Sequence, residues 1–306
     1  MDLRTLRYFQ VVAECGSYSR GAELLRISQP AVSRAVRLLE EELGRAVFQR
    51  NGHGVTLTDP GRVLLERAQS ILRQIDQLKG EITEGDEGPS GTIAIALPPA
   101  AGHFLAPALV ARMRRDFPAV SLKFVGGFSG YIHEWLIRGH VDVACLHDPP
   151  PQRGFETTPL LREEVFLVGK RGSLHSDGPG LPMARLLELP LALPSGMNAT
   201  RRLLNGWAGA NGVWFQPRVE VDDHMITRAL IRRGEAFSLL TRGAFADDLA
   251  HGEIEAFSLQ PPIYWTLTLV TCLRSPRSPL IDVFSQRLIA VTQELRESGV
   301  WRAEPV

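Results

Sequence analysis

Between residues 28 and 50 the chain carries Gln29, Ser33, Arg34 and Arg37 at helical spacing, a polar set able to contact nucleic acid. Gln and Arg read base edges in the DNA major groove, while Ser and Arg hold phosphates. On the other side of the same segment Val32, Val36, Leu39 and Leu43 recur as one apolar stripe, so one face can be buried and the other presented. Ser28 stands where an N-cap belongs. Pro30 falls in the first turn, where a missing N–H costs little. An ordinary amphipathic surface helix would share this pattern, and the neighbouring elements decide between the two.

Upstream, Leu3, Leu6, Phe9 and Ala13, widened by Tyr8 and Val12, make a helical stripe that Gly16 ends. Ser17 can cap a second short helix with Ala22, Leu24, Leu25 and Ile27 on its apolar side. The turn before Ser28 is short, so the second and third helices form a helix-turn-helix. Downstream, Ala46-Val47-Phe48 and Val55-Thr56-Leu57 read as two short strands around the turn Asn51-Gly52-His53-Gly54. That hairpin is a wing, with Arg50 at its base placed for a phosphate. The expected DNA contacts are therefore Ser28, Gln29, Pro30, Ser33, Arg34, Arg37 and Arg50. Residues 1–62 hold nine arginines against seven acids, so affinity must come from where the charges sit. Glu40, Glu41 and Glu42 fall at the far end of the third helix, away from its reading end.

Thr58-Asp59-Pro60 starts a further helix, with a cap and an acid at its positive end. Leu64, Ala68, Ile71, Ile75, Leu78 and Ile82 follow at spacings of 4-3-4-3-4, a coiled-coil seam expected to dimerise. The alternative for this stripe is a helix packed on its own domain. The run from Gly85 to Gly91, with Pro89 inside it, breaks the helix and marks a hinge.

From Thr92 strands and helices alternate. Strand-like runs fall at 92–97, 120–125, 141–146, 163–169, 190–194, 217–222, 236–241 and 264–273, and helical patterns at 104–116, 130–138, 198–211, 223–233 and 279–297. This alternation predicts an open α/β domain large enough for two lobes. Ligands in such sheets sit beyond the carboxyl ends of strands, at helix N-termini. Ser129, Ser195, Asn198 and Thr241 are expected to face that cleft beside Pro98, with Arg201 as a carboxylate partner. For each of these, loop and cap chemistry is the competing explanation.

The composition bounds the rest. With 306 residues, 44% hydrophobic content and zero net charge, the chain suits a soluble protein of two or three domains. No apolar run reaches membrane-spanning length, and the first helix already bears Arg4 and Arg7, so a cytoplasmic protein without signal peptide is expected. Cys15, Cys145 and Cys272 are odd in number and far apart, which fits reduced thiols, the last two buried in strands. No glycine-rich phosphate loop or nucleophile elbow appears, and the only tempting cluster, Asp222-Asp223-His224, points its side chains apart if it ends a strand. No catalysis, cofactor or metal is expected.

The motifs Leu6-x-x-Phe9, Ser17-x-x-x-x-Ala22-x-x-Leu25, Ser28-Gln29-Pro30-Ala31-Val32-Ser33-Arg34, Leu39-Glu40-x-x-Leu43-Gly44, Phe48-x-Arg50 and Leu57-Thr58-x-x-Gly61 closely resemble the LysR-type transcriptional regulators. The resemblance implies a winged helix-turn-helix over 1–60, a coiled-coil linker helix over 58–87, and an effector domain similar to periplasmic binding proteins over 92–306. Lobe I would take about 92–162 and 270–306 and lobe II about 163–269, joined by crossover strands at 160–168 and 264–273. It further implies promoter DNA as double-stranded target, an unidentified small-molecule effector, a homodimer assembling to a homotetramer, DNA bending, and contact with RNA polymerase. Leu97-Pro98-Pro99, Phe128-Ser129-Gly130-Tyr131, Glu134-Trp135-Leu136 and Asp148-Pro149-Pro150 look most like the nitrogen assimilation control branch of that family. Two departures stand out. Gly21 replaces the usual alanine, at a cost to the second helix of up to about 1 kcal/mol if unrelieved. Pro98-Pro99 replaces the Ser or Thr that grips anionic effectors in many relatives, which weakens that half of an anion cradle. The alternative function is a small-molecule-binding protein of the same fold without productive DNA binding.

Overall fold

A computed structural model describes all residues except 53, 84–88, 128, 176, 177, 179, 197 and 274–277, and within helices the side chains of 77, 79–83 and 129–131 are also left undescribed. The chain divides into two compact units, one of Met1–Thr92 with Arg138–His140, the other of Ile93–Ile137 with Val141–Val306.

The first unit is built from α1 (Leu3–Cys15), α2 (Tyr18–Leu25), α3 (Gln29–Leu43), β1 (Phe48–Asn51), β2 (Gly54–Leu57) and α4 (Asp59–Thr83). Asp2 caps α1 through Thr5 N, and Gly16 closes it in the left-handed conformation, where a side chain would be strained. Phe9, Val12, Ala22, Val32, Val36, Leu39, Val47, Phe48 and Val55 form one core beneath the three helices and the hairpin. Gly21 belongs to this packing. A Cβ there would lie 3.1 Å from Val12 Cγ2, so the glycine that weakens α2 also lets it approach α1 closely.

β1 and β2 pair antiparallel, Phe48 opposite Leu57 and Arg50 opposite Val55. The hairpin is fixed at both ends. Gly16 O accepts from Val55 N at 2.9 Å. One carboxylate oxygen of Glu40 accepts from Val47 N and Phe48 N at 2.8 and 3.2 Å. Glu40 is thus not simply one of three acids kept away from the reading end; it is the clamp on the wing's entry. Burial lifts the Tyr18 phenol to about 12, with the Glu40 carboxylate adding to the effect.

In α4, Thr58 caps through Gly61 N, and Gly61 is required because a Cβ would meet Val47 O at 2.0 Å. The seam expected along this helix is divided. Ala68 is fully buried with Leu72 and Leu6, and Leu64 packs beside them, so these positions are spent on α1 within the chain. Ile71 and Leu78 are exposed and Ile75 is half-buried, while Ile82 lies outside the described side chains. Val63, 61% exposed, joins the outward stripe that the 4-3-4 pattern passed over.

The second unit runs β3 (Gly91–Leu97), α5 (Pro99–Asp116), β4 (Val120–Gly126), α6 (Ser129–Ile137), β5 (Val143–His147), β6 (Phe155–Lys170), β7 (Leu181–Pro182), β8 (Ala192–Leu193), α7 (Ala199–Ala210), β9 (Val219–Glu220), α8 (His224–Arg233), β10 (Ser238–Thr241), α9 (Ala246–Ala250), β11 (Ile254–Cys272) and α10 (Pro279–Glu297), with 3-10 turns at Met183–Glu188 and Arg242–Ala244. The main sheet has the order β10-β6-β11-β5-β3-β4, and β8 and β9 form a small parallel pair. β6 and β11 are the long antiparallel strands that belong to both lobes.

In the first lobe Ile93, Ile95 and Leu97 of β3 face α5 and α10, and Ala94 and Ala96 face α6, so both sides of the strand are buried. The second lobe packs Val165, Leu167, Leu193, Leu204, Phe237 and Leu239 into one core, and Val168, Ile231, Phe245 and Ile254 into another. Trp301, beyond α10, is fully buried in the first lobe and stacks on Phe104. Its indole N–H donates to Glu163 at 2.9 Å, and Arg162 and Glu304 bridge their backbones. Cys145 is buried as expected, whereas Cys272 is only half-buried at the end of β11.

Candidate DNA-binding face and effector cleft

On α3, Val32 and Val36 have no exposure and Leu39 is 1% exposed, which turns Gln29, Pro30, Arg34 and Arg37 to solvent. Ser28 occupies the N-cap position, but its hydroxyl makes no capping bond, so it does not act as the expected cap. Ser28 is exposed at the tip of the helix. Ser33 is half-buried. Arg37 pairs with Glu41 one turn on, at 2.9 Å, and its charge is partly spent within the helix. Leu38, half exposed on the same outward face, is an apolar residue that the polar pattern did not single out. Arg50 is exposed on the wing. These groups lie on elements fixed by a shared core, which is what a surface that must fit a groove requires.

The second unit contains a cleft of about 630 Å³, its open mouth included, bounded by loops and helix starts of both lobes and by the crossover strands. Pro98, Pro99 and Ala100 at the start of α5 form one wall. Asn198, the N-cap of α7, with Ala199 and Thr200 of that helix, His224 and Thr227 of α8, and Ser238 to Thr241 of β10 form the other. His147 and Trp265 form the floor. The lobes meet closely beside it: a Cβ on Gly243 would lie 2.3 Å from Ala100 O.

Three of the six residues expected there, Pro98, Asn198 and Thr241, border the cleft. Asn198 caps α7 through Thr200 N at 2.9 Å, and Thr241 is 1% exposed. Ser195 and Arg201 are not among the bordering residues. The Ser195 backbone N–H donates to Asp222, which ties the loop down instead of opening it to the cleft. Arg201 keeps Nε and one terminal nitrogen buried with no partner among the described residues. Ser129 opens α6, but its side chain lies outside those described.

Trp265 was missed because it sits inside a strand run, where a sequence shows only core-forming residues. His147 is the last residue of β5, directly after the run expected at 141–146, and its place at the carboxyl end of a strand was a signal passed over. His147 Nε2 lies 3.0 Å from Glu163, itself 2% exposed, and the His147 ring packs on Trp265 at 5.3 Å. His224 follows Asp223, whose carboxylate caps α8 through Ile226 N. Burial, then the Arg228 guanidinium, pushes the His224 imidazole below its ordinary 6.5. The bidentate bonds from Arg228, at 2.7 Å, hold the Asp248 carboxyl below its ordinary range. Among the described residues no group of three His, Cys, Asp or Glu side chains could hold a metal ion.

A winged helix-turn-helix and a two-lobed α/β unit with its own cleft are together the parts of a transcriptional regulator. Residues 3–62 match the bacterial regulatory helix-turn-helix protein, lysR family, and residues 86–293 match the LysR substrate binding domain, so the chain belongs to the LysR family of transcriptional regulators. It is 32% identical to the HTH-type transcriptional regulator BbuR of Bordetella bronchiseptica, over 100% of this chain and 94% of that protein. To the nitrogen assimilation regulatory protein nac of Escherichia coli (strain K12) it is 33% identical over 99% of each. Among solved structures, CbnR, a LysR family transcriptional regulator, superposes with a TM-score of 0.70 at 21% identity, covering 95% of this chain and 99% of that one. That likeness speaks for the fold. No described helix is long and apolar enough to cross a membrane.

Proposed function

We propose that α3 enters the DNA major groove, with Gln29 and Arg34 reading bases, Ser28, Ser33 and Arg37 holding the backbone, and Arg50 on the wing contacting a phosphate. Two copies pair through the outward stripe of α4, centred on Ile71, Ile75 and Leu78, so that two recognition helices meet an inverted repeat. Pairs of dimers assemble into a tetramer in the cytoplasm, bend the promoter and contact RNA polymerase. A small molecule in the cleft of the second unit favours one tetramer arrangement over another and so changes the bend. A structure of full-length CbnR with its target DNA has the same fold, at a TM-score of 0.69 over 95% of this chain and 100% of that one, and supports this use of the first unit.

The observation that carries the reading is the division of α3 into a side buried at Val32, Val36 and Leu39 and an exposed Gln/Arg side. Only Leu43, last on the expected apolar stripe, is exposed, at the end of the helix away from the reading residues. Its test is recovery and sequencing of sheared genomic DNA bound by the purified protein at near-physiological salt. Discrete sites containing an inverted repeat are expected. Recovery without sequence preference, from folded protein, would sink the reading.

A further inference from the structure

We propose that the cleft selects a small uncharged molecule carrying a hydrogen-bond acceptor, held by the indole N–H of Trp265 and the hydroxyl of Thr241. This rests on the reading of the cleft as the effector site and names the chemistry the site accepts. Trp265 is 6% exposed and Thr241 1%, and both border the cleft. Trp265 Nε1 and Thr241 Oγ1 are nonetheless buried without a partner among the described residues. Buried polar groups are nearly always hydrogen-bonded, so two such groups at one cavity mark a place where a ligand completes the bonding. An indole N–H only donates, which makes the missing partner an acceptor.

Three of the neighbouring polar groups are already engaged. Ser238 Oγ donates to Ala192 O, Thr227 Oγ1 to Asp223 O, and Asn198 Oδ1 accepts from Thr200 N. The indole is also held in place from behind, through His147, Glu163 and Trp301 in sequence. A donor fixed this way before the ligand arrives loses little freedom on binding.

Charge decides between a neutral acceptor and an anion. No Lys, Arg, Asp or Glu is among the described residues that border the cleft. Pro98 and Pro99 offer no N–H from the first lobe. On the second lobe Asp222 and Asp223 engage Ser195 N and Ile226 N, placing carboxylates at the loops where an anion would need donors. His224, the imidazole on that wall, is held toward its neutral form. A carboxylate entering here would be desolvated without a counter-ion, and a neutral carbonyl would not. The cavity proper is about 70 Å³, roughly half of the ~150 Å³ that an apolar cavity offers to benzene, so the part of the occupant taken in is only a few heavy atoms.

The test is calorimetric titration of the full-length protein with matched pairs at millimolar concentration: acetamide and acetate, propionamide and propionate, isobutyramide and isobutyrate. Each amide should bind about tenfold or more tightly than its carboxylate. Trp265→Phe and Thr241→Val should each weaken the amide by about five- to tenfold, the loss of one hydrogen bond, in protein that still unfolds cooperatively. Thr241→Val, nearly equal in volume, is the variant that leaves the packing of the free protein least changed. Carboxylates winning, with that advantage lost in Arg201→Ala, would overturn the uncharged class while leaving the cleft as the effector site. Amide binding untouched by Trp265→Phe, Thr241→Val and the cleft-filling Ala199→Leu would overturn both. No binding by any of the six would overturn the size and class proposed here.

Discussion

α3 and the cleft reach their polar surfaces by different routes. Every outward group of α3 comes from one helix, and burial of Val32, Val36 and Leu39 sets which way all of them point. The cleft instead draws on α5, β5, α7, α8, β10 and β11, so its lining is set by strand order and not by any local pattern. A surface carried on one helix tolerates change a residue at a time. A surface assembled from six elements depends on groups that never touch a ligand, such as the Glu163 carboxylate between His147 and Trp301.

Between these two extremes lies α4, where one face serves the chain and the next is proposed to serve a partner. Ile71→Asp combined with Leu78→Asp should weaken the dimer by about a hundredfold or more, close to 3 kcal/mol, in sedimentation equilibrium. Ala68→Leu should leave assembly intact and lower stability by about 1–3 kcal/mol, because it overpacks the contact with α1. A dimer that survives the first change would place the interface elsewhere. In the wing, Glu40→Ala removes the acceptor shared by Val47 N and Phe48 N, and should cost the first unit about 1.5–3 kcal/mol in urea unfolding.

For the DNA surface, Gln29→Ala and Arg34→Ala should each cost about 1–3 kcal/mol on the specific site and relax its sequence preference. Arg50→Ala should weaken all sequences alike and lower the salt slope by about 1. Equal behaviour of the two classes in binding assays over a salt series would erase the division between reading and positioning residues. In the second unit the effect is on pH dependence. Because the folded pKa of His224 lies below 6.5, the unfolded chain takes up the proton first, and stability is full above 6.5 and falls as pH drops below it. Asp248, lowered from 3.8 by Arg228, adds a further loss at more acid pH. His224→Gln should flatten the first of these declines in denaturation midpoints measured from neutral pH downward and leave the second. The smallest effect belongs to Gly21→Ala, where a propensity gain of up to about 1 kcal/mol opposes a Cβ 3.1 Å from Val12 Cγ2. Thermal unfolding should move little in either direction.

What could be read in advance follows the same division. α10 lies at 279–297, as its periodicity predicts, and α8 at His224–Arg233 is within a residue of its expected start. α5 begins at Pro99 and not at 104, because prolines at 98, 99 and 107 and Gly102 imitate a loop while the first two in fact open a helix. The runs at 190–194 and 217–222 form only two-residue strands, since β8 and β9 pair with each other outside the main sheet. β11 begins at Ile254, ten residues before the run expected at 264, and its pairing with β6 shifts register across 258–263, where Pro261 and Pro262 interrupt any alternation. The seam on α4 was legible as a period but not as a direction. Leu6 on another helix decides that Ala68 turns inward. Trp265 was invisible as a cleft residue for the same reason, since an apolar strand says nothing about which of its positions ends beneath a cavity, whereas His147, at the carboxyl end of β5, was within reach of the strand-end rule.

The burial of Trp301 has a consequence for how the protein is made. Synthesis proceeds from the N-terminus, yet the first lobe's core combines Ile93 to Leu109 with Phe284, Leu288 and Trp301. The first lobe therefore cannot close until residue 301 has left the ribosome. Most of the second lobe's core, from Val165 to Trp265, is available earlier. β3 has its sheet partners β4 and β5 by residue 147, but the core face that Phe284, Leu288 and Trp301 cover stays open longer, an apolar surface that nascent-chain chaperones are suited to shield.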